Sequence, residues 1–369
     1  MSCCPGSPQR LRSHDDASHS VAGDCVREDV IVPDQAEATI QVHEIQAAER
    51  DEIQAASKAV TASPYRNGDE FITQTSAAAF SLPAHVSSCL RRARDDDGPA
   101  ALLLRGLPMP AALPPTPLAP YDRLAMHRTH TEGTLATLAR CAGEPFGYRE
   151  WDSGHLIQNR YPVPAHEKIQ AASGAAELVA HTEASFARIS PDFLALLCLR
   201  ADPGGSAKTT VADIGETIRN LSHGVRRCLE QPWYAFETDN YDCVIEGRTL
   251  TTPTPILRER NGRPFAEFST TLTAVRADAA EALATLTEAL TLNAATVTLR
   301  PGDLLVLNNR RVVHGRTAFQ PRYDGTDRWI QRVLLLGELP PGPGRVMHDS
   351  RFANYPTSYL RTLASYSRT

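Results

Sequence analysis

The sequence predicts an α+β, β-rich fold, a double-stranded β-helix (jelly roll) core flanked by helices. Three observations point there. Helical patterns gather early in the chain and in one later insert, and short strand-like runs dominate from Tyr148 onward. The residues best suited to share one site, His181 with Glu183 and the distant His314, are far apart in order, as they would be on strands that meet at the mouth of such a barrel.

Residues 1–35 are rich in Ser, Asp, His, Arg and Pro, show no apolar period, and are predicted to be a disordered tail. Residues 36–340 are read as one domain and 341–369 as a C-terminal extension. Ala38 to His43 alternates like a strand, and Glu44 to Thr61 reads as a helix. Helices follow at about 70–79 and 84–95, with Ser81 placed to cap and Pro83 to enter the first turn. Asp95 to Pro99 breaks the pattern, and Ala101 to Leu107 reads as a buried strand. The Pro-rich run Pro108 to Pro120 is read as an ordered crossing loop or lid, followed by a helix at about 121–141. Beyond it, strands are predicted at His155–Val163, Glu177–Glu183, Phe193–Arg200, Thr209–Val211, Trp233–Glu237, Phe265–Phe268, Thr296–Leu299, Leu304–Leu307, Arg310–Val313 and Trp329–Leu336. Helical patterns interrupt them near 213–230 and 278–292.

Bulk properties narrow the function. A net charge of -5 over 369 residues gives no electrostatic drive toward nucleic acid or an anionic membrane, so a small-molecule partner is expected. No run approaches the roughly 18–20 apolar residues of a spanning helix, and no basic-then-apolar leader opens the chain, so a cytoplasmic protein is expected. The eight cysteines include no Cys-x-x-Cys pair and are read as reduced, several of them as small buried apolar residues. Oligomeric state has no sequence signature, since no heptad pattern is present.

The chemistry centres on His181-Thr182-Glu183. In a strand, residues two apart point to one face, so an imidazole and a carboxylate could reach one metal ion. Two histidines and a carboxylate, with the other metal positions open, are the ligand set of non-haem Fe(II) oxygenases. His314 is the candidate third ligand. Arg328 and Arg332 are predicted to share a face with Ile330 and Leu334 of an apolar strand, where arginines are costly unless an anion or protein carboxylates meet them. A dicarboxylate co-substrate would serve, because guanidinium grips carboxylate through paired hydrogen bonds. Spacing alone leaves both explanations open.

Three blocks then carry a resemblance. His181-Thr182-Glu183-x-x-Phe186, Pro301-Gly302-Asp303-Leu304-Leu305 leading into Asn309-Arg310-Arg311-x-x-His314-Gly315-Arg316, and Asp324-Gly325-x-Asp327-Arg328-Trp329 together resemble the clavaminate synthase family, over roughly residues 95–340. That family comprises Fe(II)/2-oxoglutarate oxygenases, including hydroxylases of asparagine, arginine and lysine. The resemblance implies His181, Glu183 and His314 as iron ligands, Arg328 as the residue gripping the far carboxylate of 2-oxoglutarate, and Thr209, with Thr210 as the alternative, beside that co-substrate. It further implies Arg332 as a second arginine facing the amino-acid substrate or the co-substrate, and Gln158 as a substrate contact. Fe(II), 2-oxoglutarate and O₂ would then be the cofactor and co-substrates, and the expected reaction is stereospecific hydroxylation of an amino acid or amino-acid-derived small molecule in specialised metabolism. A carboxylate at 183, rather than an open position for chloride, favours hydroxylation, desaturation or cyclisation over halogenation.

Two departures stand out. Hydroxylases of free basic amino acids align an Asp-x-Asp on the strand read here at Phe268-Ser269-Thr270-Thr271-Leu272, so Ser269 and Thr271 are candidate substrate residues that would not compensate a buried cation. Asn308 stands where relatives more often show Asp, which would affect support rather than ligation. Alternatives retained are a larger peptide-like, carrier-bound or nucleoside-like substrate and, from other classes, a Zn hydrolase or a non-catalytic binding module.

Overall fold

The computed structural model describes residues 39–95, 97–120, 122, 130–149, 152–185, 187, 189–238, 249–260, 263–269, 271–339, 352–353 and 363–364. The predicted tail at 1–35, most of the predicted extension at 341–369, and Phe186 of the first motif lie outside these residues. In chain order the elements are β1 (Ile40–Glu44), α1 (Ala47–Ala59), α2 (Gly68–Ala79), α3 (Ala84–Arg92), β2 (Ala101–Arg105), α4 (Thr131–Ala142), β3 (Glu144–Tyr148), β4 (Gln158–Arg160), β5 (Leu178–His181), β6 (Phe193–Arg200) and β7 (Thr209–Asp213). They continue with α5 (Ile214–Arg219), α6 (His223–Leu229), β8 (Tyr234–Thr238), β9 (Thr249–Thr251), β10 (Leu257–Arg260), β11 (Arg263–Ala266), β12 (Leu272–Ala274), α7 (Ala277–Leu292), β13 (Ala295–Val297), β14 (Leu304–Asn308), β15 (Val312–Arg316) and β16 (Trp329–Leu336).

Two sheets organise the molecule. The larger runs β1-β2-β14-β6-β16-β3, with β4 also on β16 and Phe352–Ala353 beside β3. The smaller runs β13-β7-β15-β5. Their facing sides share one apolar cluster, with Leu194, Leu196, Leu305, Ile330 and Leu334 from the larger sheet and Val211, Val297 and Val312 from the smaller. The opposite face of the larger sheet, through Leu197, Leu304, Val306, Val333 and Leu335, packs on α1 to α4. Alternation along β6 and β16 thus feeds two cores at once, which is why both strands are apolar at nearly every position. Each fully buried leucine there stabilises the fold by roughly 1.5–3 kcal/mol. A third cluster sets α5, α6 and α7 with Tyr234, Phe236 and Phe268 against the outer face of the smaller sheet at Ala212 and Val313.

Several predicted boundaries shift for local reasons. Ser81 does not cap α3: Pro83 occupies the cap position, and no side chain bonds the first turn. The strand predicted at Arg310–Val313 begins at Val312 because 308–311 forms a turn, in which Asn308 Oδ1 accepts the Arg310 N–H at 3.1 Å and Asn308 O accepts the Arg311 N–H at 2.9 Å. Asn308 does here what an Asp acceptor would do. The helix predicted from about 121 is described from Thr131. Ser269 and Thr271 lie in the connection between β11 and β12, where the Leu272 N–H donates to Ser269 O at 3.1 Å. Most consequentially, the strand predicted through Glu183 ends at His181.

Candidate metal centre

The two histidines meet because β5 and β15 pair antiparallel with His181 opposite His314. Their ring centroids lie 4.5 Å apart. Gly315 allows that approach: a Cβ there would stand 2.5 Å from Leu178 O and 2.8 Å from Thr210 Oγ1. His181 Nδ1 sits 2.9 Å from Val179 O. A carbonyl only accepts, so Nδ1 carries the proton and Nε2 keeps its lone pair for a metal.

Glu183 arrives by a turn rather than by strand alternation, which corrects the reading of its geometry. Thr182 is fixed by its N–H on Phe268 O at 2.7 Å. The Glu183 N–H then donates to Asn309 Oδ1 at 2.7 Å, while Asn309 Nδ2 donates to Glu183 O and Pro191 O at 3.1 and 2.9 Å. Ala184, at φ 50°, completes the turn in the left-handed region. The result places ligand atoms of His181, Glu183 and His314 within 4.8 Å of one another, with His314 Nε2 3.8 Å from Glu183 Oε2.

The electrostatics suit a divalent cation. Burial raises the Glu183 carboxyl, but the Arg332 guanidinium above all, helped by the neighbouring imidazoles and Arg160, outweighs it and holds the group below its ordinary value, as carboxylate. Burial, reinforced by His181 and opposed by Glu183, pushes His314 down to about 3 and keeps it neutral. His314 Nδ1 is buried without a hydrogen-bond partner. Two imidazoles and one carboxylate, their ligand atoms within 4.8 Å of one another, fit Fe(II) with its remaining positions open.

Arg332 lies on the inner face of β16 with Ile330 and Leu334, as predicted. Its Nη1 donates to Glu183 Oε2 and its Nε to Gln158 Oε1, each at 2.7 Å. Gln158 is held opposite Arg332 by the pairing of β4 with β16, and its Nε2 has no partner. Arg160, paired with Asp152, also donates to Gln158 Oε1 at 3.1 Å.

A second cationic pair lies across the same face. Thr209 stands opposite Arg316 between β7 and β15, on the His314 side, whereas Thr210 stands opposite Gly315 on the outer side. Thr209 rather than its neighbour therefore faces the site. Burial, together with the nearby charge of Arg328, lowers Arg316 to about 9. Arg328 precedes β16 by one residue, beyond a register shift at Trp329/Ile330. Burial lowers its pKa too, and Cys198 and Asp202 partly oppose the shift. The Asp202 carboxylate already accepts N–H groups of Gly204, Ser206 and Ala207 at 2.8–3.2 Å. Among the described residues Arg328 forms no ion pair with a carboxylate, and it lies close enough to Arg316 for the two charges to oppose each other.

Comparison with known proteins decides what this constellation belongs to. The taurine catabolism dioxygenase TauD/TfdA family profile matches residues 100–334. The chain belongs to this dioxygenase family. The dioxygenase is 35% identical over 274 residues to the L-asparagine oxygenase of Streptomyces coelicolor, covering 73% of this chain and 81% of that protein. It is 30% identical over 310 residues to clavaminate synthase 2 of Streptomyces clavuligerus, covering 79% and 93%. Among solved structures, asparagine oxygenase in complex with Fe(II), 2S,3S-3-hydroxyasparagine and succinate superposes with TM-score 0.78 at 29% identity, over 86% of this chain and all of that one. The non-haem iron oxygenase OrfP in complex with Fe and alpha-ketoglutaric acid gives 0.75 at 26%, over 85% of this chain and all of that one. The expected class holds: the protein is a 2-oxoglutarate-dependent non-haem iron dioxygenase of mixed α+β fold. Among the described residues no helix is long and apolar enough to cross a membrane.

The dioxygenase brings Ser269 and Thr271 to the ligand turn only through Phe268, their neighbour. Their hydroxyls lie 3.1 Å apart, and the Thr271 N–H donates to Ser269 Oγ at 3.2 Å. Two residues that sequence reasoning left without roles now have geometry, Asn309 as the clamp on Glu183 and Arg316 as the neighbour of Arg328. Both lay in the quoted motif, but nothing in spacing shows that a side chain at 309 reaches the backbone at 183.

Proposed function

We propose that this dioxygenase hydroxylates an aliphatic C–H bond of an amino acid, or of a small amino-acid derivative, whose side chain carries no positive charge, within a jelly-roll core. His181, Glu183 and His314 hold Fe(II). Arg328, flanked by Arg316 and Thr209, takes the far carboxylate of 2-oxoglutarate. Arg332 and Gln158 face the substrate, with the free Gln158 Nε2 as a donor, and Ser269 and Thr271 line its side-chain end. Bound iron with 2-oxoglutarate and O₂ supplies oxidative decarboxylation to succinate and CO₂, with the second oxygen atom passing into the substrate C–H bond.

The observation that carries this reading is Arg328, without an ion pair among the described residues, beside Arg316, which lies on the same side of the smaller sheet as His314. A hydrolytic metal centre would leave Arg328 without an anion, whereas a dicarboxylate co-substrate supplies one. The substrate class follows from charge. The acids nearest the 269–271 turn are engaged or exposed, since Glu267 pairs with Arg258 at 3.1 Å and Glu259 faces solvent. Among the described residues no free carboxylate there would compensate a buried ammonium or guanidinium, whose desolvation costs several kcal/mol. The relative L-lysine 3-hydroxylase is named for amino-acid hydroxylation, and a solved asparagine oxygenase is in complex with 2S,3S-3-hydroxyasparagine.

The test is a panel of amino acids scored for succinate release coupled to a product mass gain of one oxygen. Turnover of a neutral amino acid well above lysine and arginine is expected. Strong turnover of either basic amino acid would overturn the substrate assignment, and succinate release that never couples to a hydroxylated amino acid would overturn the reaction.

A further inference from the structure

A second group of metal-ligating side chains lies apart from the catalytic cluster, on the helical side of the molecule. His85 and Cys89 are one turn apart on α3, so they share a face of that helix. His43, on the edge strand β1, meets them there. Ligand atoms of His43, His85 and Cys89 all lie within 4.8 Å of one another.

The separations are those of a metal site. Cys89 Sγ is 3.8 Å from a ring nitrogen, Nε2, of His85. Two ligands at the usual Zn–S and Zn–N lengths in a tetrahedron stand about 3.6 Å apart. The His43 and His85 rings have centroids 4.7 Å apart and are tilted by 52°. His43 Nε2 is buried without a hydrogen-bond partner, and the nearest carboxylate oxygen, Glu49 Oε2, is 3.6 Å away. That oxygen already accepts the Gln46 N–H at 2.9 Å, closing the cap of α1. The three ligands thus come from two elements, β1 and α3, while Glu49 lends negative charge from α1.

We propose that His43, His85 and Cys89 form a structural zinc site that pins the edge strand β1 to α3. Thiolate with imidazole is the donor set that selects Zn(II) among abundant divalent ions, and the exposed His85 leaves the fourth position to water. On binding, the Cys89 thiol gives its proton to solvent and the sulfur binds as thiolate. No step of the oxygenase reaction uses these residues, so the site is one of stability.

Cobalt(II) separates this site from the catalytic cluster, because only this one offers sulfur. Adding Co(II) to the full-length protein is expected to give a near-ultraviolet sulfur-to-cobalt charge-transfer band that persists in His181→Ala and is lost in Cys89→Ser. The exposed His85→Ala, whose fold is not at risk, should weaken the affinity roughly tenfold or more. In a His181→Ala background, zinc should raise the unfolding temperature, and adding His85→Ala should abolish the rise. A full-length protein without the band, or a band that survives Cys89→Ser, would overturn the proposal, as would unchanged cobalt affinity in His85→Ala. None of these outcomes bears on the iron site.

Discussion

Thr182 and Phe268 hold each other through both backbone and side chain: the Thr182 N–H donates to Phe268 O at 2.7 Å, and the Phe268 N–H donates to Thr182 Oγ1 at 3.0 Å. The residue between two proposed iron ligands is thereby tied to the turn that carries Ser269 and Thr271, so metal and substrate geometry share one joint. Thr182→Val keeps the shape and removes the hydroxyl, leaving a buried Phe268 N–H unsatisfied at a cost of about 1–3 kcal/mol. We expect a lowered unfolding temperature and Fe(II) affinity reduced roughly tenfold. Equal Fe(II) affinity in calorimetry would show that the joint is structural only.

Arg328 should govern co-substrate affinity and little else. Charge-assisted hydrogen bonds contribute roughly 1.5–3 kcal/mol, so Arg328→Ala is expected to raise the KM for 2-oxoglutarate by about 10- to 100-fold. Arg328→Lys should recover part of the loss, since lysine supplies the charge without the fork. Because Arg316 is pressed by the same like charge, 2-oxoglutarate alone should raise the thermal midpoint of the wild-type protein, and the rise should vanish in Arg328→Ala. A co-substrate titration that gives the same KM for Arg328→Ala and wild type would remove the assignment.

How much of this was legible in order of residues depended on the physics of each element. Strands buried on both faces announce themselves by apolar runs, so Phe193–Arg200 and Trp329–Leu336 are found with the predicted ends. The ligands were legible because His-x-Glu and the distal histidine belong to a recognisable motif. The reason given for their convergence was not, since alternation in a strand was expected and a turn held by Asn309 and Thr182 does the work. Turn geometry depends on partners more than a hundred residues away, which local pattern cannot encode. The same blindness moved Ser269 and Thr271 from a strand to a turn, and left His43, His85 and Cys89 as unrelated residues.

Asn309 is expected to be as consequential as a ligand. Its amide accepts from Glu183 N–H and donates to two carbonyls, all buried. Asn309→Ala leaves those groups unpaired and should cost on the order of 2–5 kcal/mol, with Fe(II) affinity falling about 10- to 100-fold. Asn309→Asp keeps the acceptor but loses both donations, so denaturant unfolding should place it below wild type. Wild-type stability in Asn309→Ala would mean that Glu183 is positioned by other groups.

The hydroxyl pair at 269 and 271 gives the sharpest test of specificity. Ser269 and Thr271 now bond each other, and among the described residues no carboxylate lies free beside them. Ser269→Asp or Thr271→Asp would place a carboxylate where a cationic side chain could use it, supplying a charge-assisted bond of roughly 1.5–3 kcal/mol and hence about 10- to 100-fold in kcat/KM for lysine or arginine. The same changes should leave the KM for 2-oxoglutarate near its original value, because Arg328, Arg316 and Thr209 are untouched. Competition between a neutral and a basic amino acid, followed by mass spectrometry of both hydroxylated products, reads the ratio directly. If neither variant shifts that ratio while both remain folded and active, the 269–271 turn does not face the substrate side chain, and discrimination must lie with Gln158 and Arg332.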